Sequence, residues 1–273
     1  MTGYRIATLY SGSRGNSVFV ESGDTRILID AGKNARALCR ALLDIGSDID
    51  QIQAIFITHE HCDHVSALEV ISKKHSIPIH IAEQSAKKFD RDPSAFIHKN
   101  LVRHSAPEYQ IRVGNILVSS FRTPHDSAMS VGYRLDIEAL DGVRSIGVAT
   151  DIGYVTRGIC HSLEGCESVV LESNHDEDML RDGPYPYELK LRILSNKGHL
   201  SNKASAAFGA HLASHGTRSF ILAHLSEENN TPDTAYDEFI SAIADDTVSV
   251  SVASADIPTE LRIEGDQKCS LSR

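Results

Sequence analysis

Short runs that are apolar throughout or alternate apolar with polar residues open the chain, at residues 4–10, 17–22 and 25–30, with glycines in the gaps between them. That pattern predicts three consecutive strands joined by turns, a β-meander. Residues 36–45 carry apolar side chains at helical spacing, and Ala-Ile-Phe-Ile at 54–57 reads as a buried strand. Further strands are predicted at 79–82, 116–121, 131–136, 145–149, 168–171, 219–222 and 247–252, and helices at 66–74, 203–214 and 234–243. So many strands with helices scattered between them bury their apolar faces best as two sheets packed face to face with helices outside, a layered α/β sandwich. No internal repeat or Pro/Gly-rich linker divides the chain, so a single domain over residues 1–273 is expected.

The strand at 54–57 runs directly into Thr58-His59-Glu60-His61-Cys62-Asp63-His64, which holds three imidazoles and an aspartate within six residues. If the chain stays extended there, the two-residue period puts His59 and His61 on one side, where they can share an ion. Asp63 and His64 then open the following helix and aim elsewhere, toward a second ion. A solvated turn is the ordinary reading of a lone histidine, but it does not account for H-x-H-x-D-H behind a buried strand. Nitrogen and carboxylate donors suit zinc, manganese or iron without choosing among them. Two divalent ions, zinc or manganese with iron as a third option, are the expected cofactors. Cys62 reads as a small packing residue.

Composition adds exclusions. No run approaches the roughly 18 apolar residues of a membrane span, and the first residues lack the basic end and apolar run of a secretory signal. A cytoplasmic protein without a membrane partner is expected. The five cysteines are odd in number and none is spaced C-x-x-C, so neither a disulfide framework nor a thiolate zinc site is indicated. A net charge of −10 argues against nucleic-acid binding over the whole surface. Yet Lys190, Arg192, Lys197, His199 and Lys203 form a stretch without an acid. It reads equally as a local phosphate-binding strip or as a solvated face. No charge run or aromatic cluster defines a protein partner.

The H-x-H-x-D-H run resembles the signature of the metallo-β-lactamase superfamily, and its trailing His64 resembles the dinuclear branches, glyoxalase II-like and ribonuclease Z-like. The resemblance implies a four-layer αββα sandwich. It also implies further ligands from the ends of later strands: a histidine, a bridging aspartate and a final histidine. His125, Asp151 and His224 take those places. Each alone could be a turn residue, but their order and placement support all three together. The implied centre has His59, His61 and His125 on one ion, Asp63, His64 and His224 on the other, and Asp151 bridging. A metal-bridging hydroxide of lowered pKa is then the nucleophile near neutral pH, which makes Asp63 a catalytic residue as well as a ligand. Asp30, in Ile-Asp-Ala-Gly, matches the superfamily's early aspartate, which orders the metal loop by hydrogen bonding. Asn16, in the first turn, would be brought near the metals and the substrate.

Other stretches resemble one family, the YycJ/WalJ-type metallohydrolases related to ribonuclease Z: GSRGNS at 12–17, PHD at 124–126, VGY at 131–133, LESNHD at 171–176, GPYPY at 183–187, GHLSN at 198–202 and HLSEENNT at 224–231. Ser11-Gly12-Ser13-Arg14 departs from the family, which carries Ser-Ser before the glycine. This resemblance implies a metal-dependent nuclease with 5′-to-3′ exonuclease activity on DNA. In the ribonuclease Z-like branch a Gly-His-Ser/Thr element supplies a histidine at the scissile phosphate. Gly198-His199-Leu200-Ser201 resembles it and makes His199 the expected general acid, with Lys197, Ser201 and Asn202 on the phosphate. Glu172, Asn174 and His175 either orient the site or cap the next helix, and Tyr185 and Tyr187 either stack on bases or pack the loop. The same ligands would serve a hydrolase of a small thioester, lactone or cyclic phosphodiester. A nuclease needs an open groove beside the basic strip, and that rival a closed apolar pocket.

Overall fold

The computed structural model describes residues 3–139 and 142–264. Its strands are β1 (Tyr4–Tyr10), β2 (Ser17–Ser22), β3 (Thr25–Ile29), β4 (Ala54–Phe56), β5 (Ile79–Ala82), β6 (Leu101–His104), β7 (Gln110–Val113), β8 (Ile116–Thr123), β9 (Ser130–Ala139), β10 (Gly142–Ala149), β11 (Ser168–Glu172), β12 (Ser219–Ala223), β13 (Ser249–Val252) and β14 (Thr259–Ile263). The helices are α1 (Ala35–Asp44), α2 (Cys62–Val65), α3 (Leu68–Lys74), α4 (Glu83–Ala86), α5 (Arg157–Leu163), α6 (Glu177–Asp182), α7 (Tyr187–Ile193), α8 (Asn202–Ser214) and α9 (Pro232–Ile243).

Two sheets form, in the orders β14-β1-β2-β3-β4-β5-β6 and β13-β12-β11-β10-β9-β8-β7. Because successive strand residues face opposite ways, each sheet feeds two cores. Ile27 and Ile29 of β3 and Ala54 and Phe56 of β4 join Val131, Tyr133, Val170 and Ile221 between the sheets. Their neighbours Leu28, Ile55 and Ile57 pack outward with Leu38 and Leu42 of α1 and Leu68 and Ile71 of α3. On the other side Phe220 and Leu222 of β12 pack outward with Phe208 and Leu212 of α8 and Phe239 of α9. These layers are the αββα sandwich that the strand pattern and the resemblance implied.

Half of each sheet is an antiparallel meander and half is parallel: β3, β4, β5 and β6 in one, β10, β11, β12 and β13 in the other. Carboxyl ends of parallel strands open onto loops, where ligands gather in α/β folds. Here they carry the histidine cluster, Asp151, Glu172 and His224 to one rim of the sandwich.

The expected strands and helices form, the helix expected at 66–74 being α3, with the short α2 before it. The unpredicted strands β6, β7 and β14 each lie at a sheet edge, where half-exposed positions dilute the apolar signal. Helices α4 to α7 are unpredicted too; of these, α6 and α7 bury one residue apiece, Leu180 and Ile193. No helix among the described residues is long and apolar enough to cross a membrane.

His80 on β5 stacks on Phe56 with ring centroids 4.7 Å apart, and its Nδ1 lies 3.0 Å from His104 Nε2. Burial, then the His104 charge, push its pKa from 6.5 down to about 4. The unfolded chain therefore binds a proton over that window that the fold refuses, so stability present above pH 6.5 is lost as pH falls toward 4. His80→Phe should flatten this part of the stability curve relative to the parent, by on the order of 1–3 kcal/mol. Parallel melting-temperature curves for the two proteins would refute it.

Candidate metal centre

Asp30, Asp151 and His224 follow β3, β10 and β12 and adopt left-handed backbone, with φ of 63°, 58° and 59°. Such residues are uncommon outside glycine, Asp and His being among those that tolerate the conformation, and they concentrate where function fixes geometry. Each turns the chain at a strand end and leaves its side chain in one buried cluster.

Asp151 with His59 and His64, and Asp151 with Glu172, His199 and His224, form two of the four overlapping donor groups in that cluster among the described residues, and the other two carry the expected sets. His59, His61 and His125 form one and Asp63, His64 and His224 the other, with the candidate ligand atoms of each set within 4.8 Å of one another. In the first, His59 Nε2 lies 3.0 Å from His61 Nδ1. In the second, Asp63 Oδ2 lies 3.3 Å from His64 Nε2 and 3.8 Å from His224 Nε2. Asp151 stands between them: Oδ2 is 3.3 Å from His64 Nε2, while Oδ1 is 3.7 Å from His125 Nε2 and 3.5 Å from His224 Nε2. Two donors on one tetrahedral ion are about 3.3 Å apart, so these spacings suit cations. Asp151 Oδ2 and His224 Nε2 are buried without a hydrogen-bond partner. Such atoms cost roughly 1–3 kcal/mol each, a cost that coordination removes. The donors therefore fit divalent ions.

The electrostatics agree. Burial opposes the Asp151 carboxylate, but His224, His64, His59 and His125 outweigh it and hold its pKa well below the usual range. Asp63 is likewise lowered, burial being overcome by His224 and His64. Burial also disfavours His64 and His224 as imidazolium. Asp30 and Asp151 nevertheless raise His64 well above its usual value, and Asp151, Asp63 and Glu172 raise His224 to about 9. His59 is pushed well down by burial and by His64. Two ionised carboxylates, Asp151 buried and Asp63 partly so, thus draw positive charge into the centre, and divalent ions can supply it.

The loop that carries these donors is fixed from beneath. Asp30 accepts hydrogen bonds from Thr58 N and Thr58 Oγ1, both at 2.8 Å, and its Oδ2 lies 2.8 Å from His64 Nδ1. Holding that nitrogen orients His64 with Nε2 toward Asp63 and Asp151. Gly32 lies so close that a Cβ would sit 1.9 Å from the Asp63 carbonyl oxygen and 2.6 Å from Asn16 N. Gly32→Ala must displace the loop, and a shift of about 1 Å at such a site costs roughly 100-fold in rate. Lower metal content and turnover with unchanged far-UV circular dichroism are expected. Full metal content would mean that the loop yields without moving Asp63.

His199, expected at the substrate, lies against the cluster. Its ring is 5.1 Å from that of His224 and 5.2 Å from that of His125, and its Nδ1 is 2.7 Å from Glu172 Oε1. Glu172 is fully buried and its Oε2 accepts from Ile152 N and Leu200 N. The sequence left Glu172 between orienting and capping. Asp176 caps α6, accepting from Asp178 N and Met179 N, and Glu172 lies in the site. A carboxylate at the end of the wholly buried Ser168–Glu172 strand is the signal for it, because a buried charge needs partners.

The remaining expectations fare differently. Asn16 is buried, its side-chain nitrogen 3.3 Å from Asp63 Oδ2 and 3.2 Å from His64 Nε2, so it braces the donor loop. Ser201 caps α8, accepting from Ala204 N, and donates to Glu177. Asn202, expected on the phosphate, is 2% exposed and paired with Asn230 and Ser173. The start of α8 therefore occupies both residues. Lys197 is exposed on the loop before His199. Arg192 pairs with Asp126, and Lys190 donates to the Arg181 carbonyl, so the strip is not uniformly unpaired. Tyr185 and Arg192 line a cavity of about 230 Å³ with His199 and His224, while Tyr187 is exposed. Cys62, expected to pack, is exposed at the first position of α2, and Cys39, Cys160 and Cys166 are free thiols. Cys269 lies outside the described residues. Arg14, the departure in the first turn, pairs on the surface with Glu227.

Residues 25–225 match the family model described as the beta-lactamase superfamily domain. The chain belongs to the metallo-β-lactamase superfamily. Within it, the chain is 30% identical to exodeoxyribonuclease WalJ of Streptococcus pneumoniae serotype 2 (strain D39) over 251 residues, 92% of each chain. It is 32% identical to exodeoxyribonuclease YycJ of Bacillus anthracis over 233 residues, 85% of this chain and 86% of that one. These similarities place it among the WalJ/YycJ-type metal-dependent hydrolases. The crystal structure of the metallo-beta-lactamase fold protein YhfI from Bacillus subtilis superposes with a TM-score of 0.68, covering 94% of this chain and 99% of that one at 16% identity. That likeness concerns the fold.

Proposed function

We propose that this hydrolase is a dinuclear exonuclease that degrades DNA in the 5′-to-3′ direction, with the cytoplasm as its compartment. The observation that carries the reading is the similarity to exodeoxyribonuclease WalJ along 92% of both chains. The two donor sets meeting at Asp151 support the dinuclear part. Divalent ions, zinc or manganese with iron as a third option, supply a water of lowered pKa and neutralise charge on phosphate oxygens when bound. His59, His61 and His125 would hold one ion and Asp63, His64 and His224 the other, with Asp151 shared.

The chain's own residues do the rest. Asp30 and Asn16 keep Asp63 and His64 in place. With Nδ1 tied to Glu172, His199 is fixed in orientation with Nε2 left to pass a proton to the leaving oxygen as the P–O bond breaks. Tyr185, beside His199, offers an aromatic face to a nucleotide, and Arg192, paired with Asp126, borders the same cavity.

The test is hydrolysis of single- and double-stranded DNA and RNA labelled at either end, by the metal-loaded protein beside Asp63→Ala purified identically. Mononucleotide release from the 5′ end of DNA, absent in Asp63→Ala, is the expected result. Inactivity on every nucleic acid, with turnover of a thioester, lactone or cyclic phosphodiester, would overturn it.

A further inference from the structure

Helices α5 and α8 both start near the metal centre, shortly after Asp151 and directly after Ser201, and their carboxyl ends come together elsewhere. Glu164 is the C-terminal cap of α5, and His211 and His215 occupy the last turn and cap of α8. His211 and His215 are four apart, on one helical face, with ring centroids 4.2 Å apart. His211 Nε2 lies 2.8 Å from Glu164 Oε1, and one candidate ligand atom from each of the three residues falls within 4.8 Å of the others. About 15 Å of helix separates Ser201 from His211, so the cluster is separate from the hydrolytic donors.

We propose that Glu164, His211 and His215 form an additional metal site that takes one zinc-class divalent ion. His215 Nδ1 lies 2.8 Å from the His211 carbonyl oxygen. Such a hydrogen bond puts the proton on Nδ1 and leaves Nε2 a lone pair, the arrangement found in most metal-binding histidines. The Glu164–His211 contact is close to the roughly 3.3 Å between two donors of a tetrahedral ion, which would replace the proton now shared there. Two helix carboxyl ends meet here, and their partial negative charge favours a cation. Three protein donors leave a fourth position to water, so the ion is exchangeable. It ties the far end of α5 to that of α8, the helices that follow Asp151 and His199, which makes it a clamp behind the hydrolytic centre. The inference does not depend on the nuclease reading.

The experiment strips the protein with a chelator and reloads it with Zn²⁺ alone at micromolar free concentration. His211→Ala/His215→Ala, confirmed folded by circular dichroism, should bind one zinc fewer per chain than the parent. Its gain in melting temperature on zinc addition should be smaller by about 5 °C. Asp151→Asn, which breaks the hydrolytic centre, should keep this ion and, with Co²⁺, its visible absorption, which is lost when His211→Ala/His215→Ala is added to Asp151→Asn. Glu164→Gln serves if the double variant does not fold, and should weaken binding of this one ion about tenfold or more. Equal zinc stoichiometry and equal thermal gain in parent and variants would overturn the site and leave a surface ion pair.

Discussion

Asp151→Asn is expected to give a folded protein that has lost the ions of the hydrolytic centre and about 10⁴-fold or more of its turnover, equivalent to about 5.5 kcal/mol of barrier. Asparagine is the informative replacement because position 151 has φ of 58°, which Asn accepts and Ala does not. The substitution thus removes charge and an acceptor without straining the turn. Asp151 faces His64, His125 and His224 at 3.3–3.7 Å, so one change disturbs both donor sets. The centre also carries a pH effect. In the chelated parent His224 titrates near 9 because the carboxylates outweigh its burial. An ion must displace that proton, so apparent metal affinity should rise with pH until about 9. Competition with a chromophoric chelator between pH 6.5 and 9 measures this dependence. Retention of the full metal complement and rate by Asp151→Asn would remove Asp151 from the centre.

What the sequence revealed and what it hid divide along physical lines. H-x-H-x-D-H was legible because no packing argument explains three histidines and an aspartate behind a buried strand. His125, Asp151 and His224 were legible only as an ordered set at strand ends, and the structure brings them to within 4 Å of one another or of the first cluster. The central strands were legible because both faces of β3, β4 and β12 are buried. The edge strands β6, β7 and β14 were not, since one face of each meets solvent. Asn16 and Asn202 were expected to touch substrate because the resemblance brings the first turn and the element at 198–202 to the metals. Whether such a residue faces a groove or braces a loop depends on partners distant in sequence, such as Asn230 for Asn202. Glu172 shows the same limit from the other side: its partner His199 lies 27 residues away, so its place in the centre follows from pairing across the fold.

His199→Ala should lower turnover by roughly 10²–10⁴-fold while leaving the hydrolytic ions in place. The histidine lies beside the donor sets, its Nδ1 3.7 Å from Asp151 Oδ1 and 2.7 Å from Glu172 Oε1. Those distances permit two roles, proton donor or metal ligand, and the variant separates them. A general acid is lost from kcat with metal content intact, and a substrate carrying a leaving group of low pKa, such as a nitrophenyl phosphodiester, should recover most of the rate because it needs no proton. A ligand is lost from metal content first, and the activated substrate recovers nothing. Glu172→Gln refines the result. As a positioning residue it should lower kcat less than His199→Ala does, with KM and metal content unchanged, because the amide no longer fixes the His199 ring through Nδ1. Loss of zinc from His199→Ala, or an activated substrate cleaved no better than DNA, would assign His199 to the metal shell and leave the leaving group to be protonated by solvent.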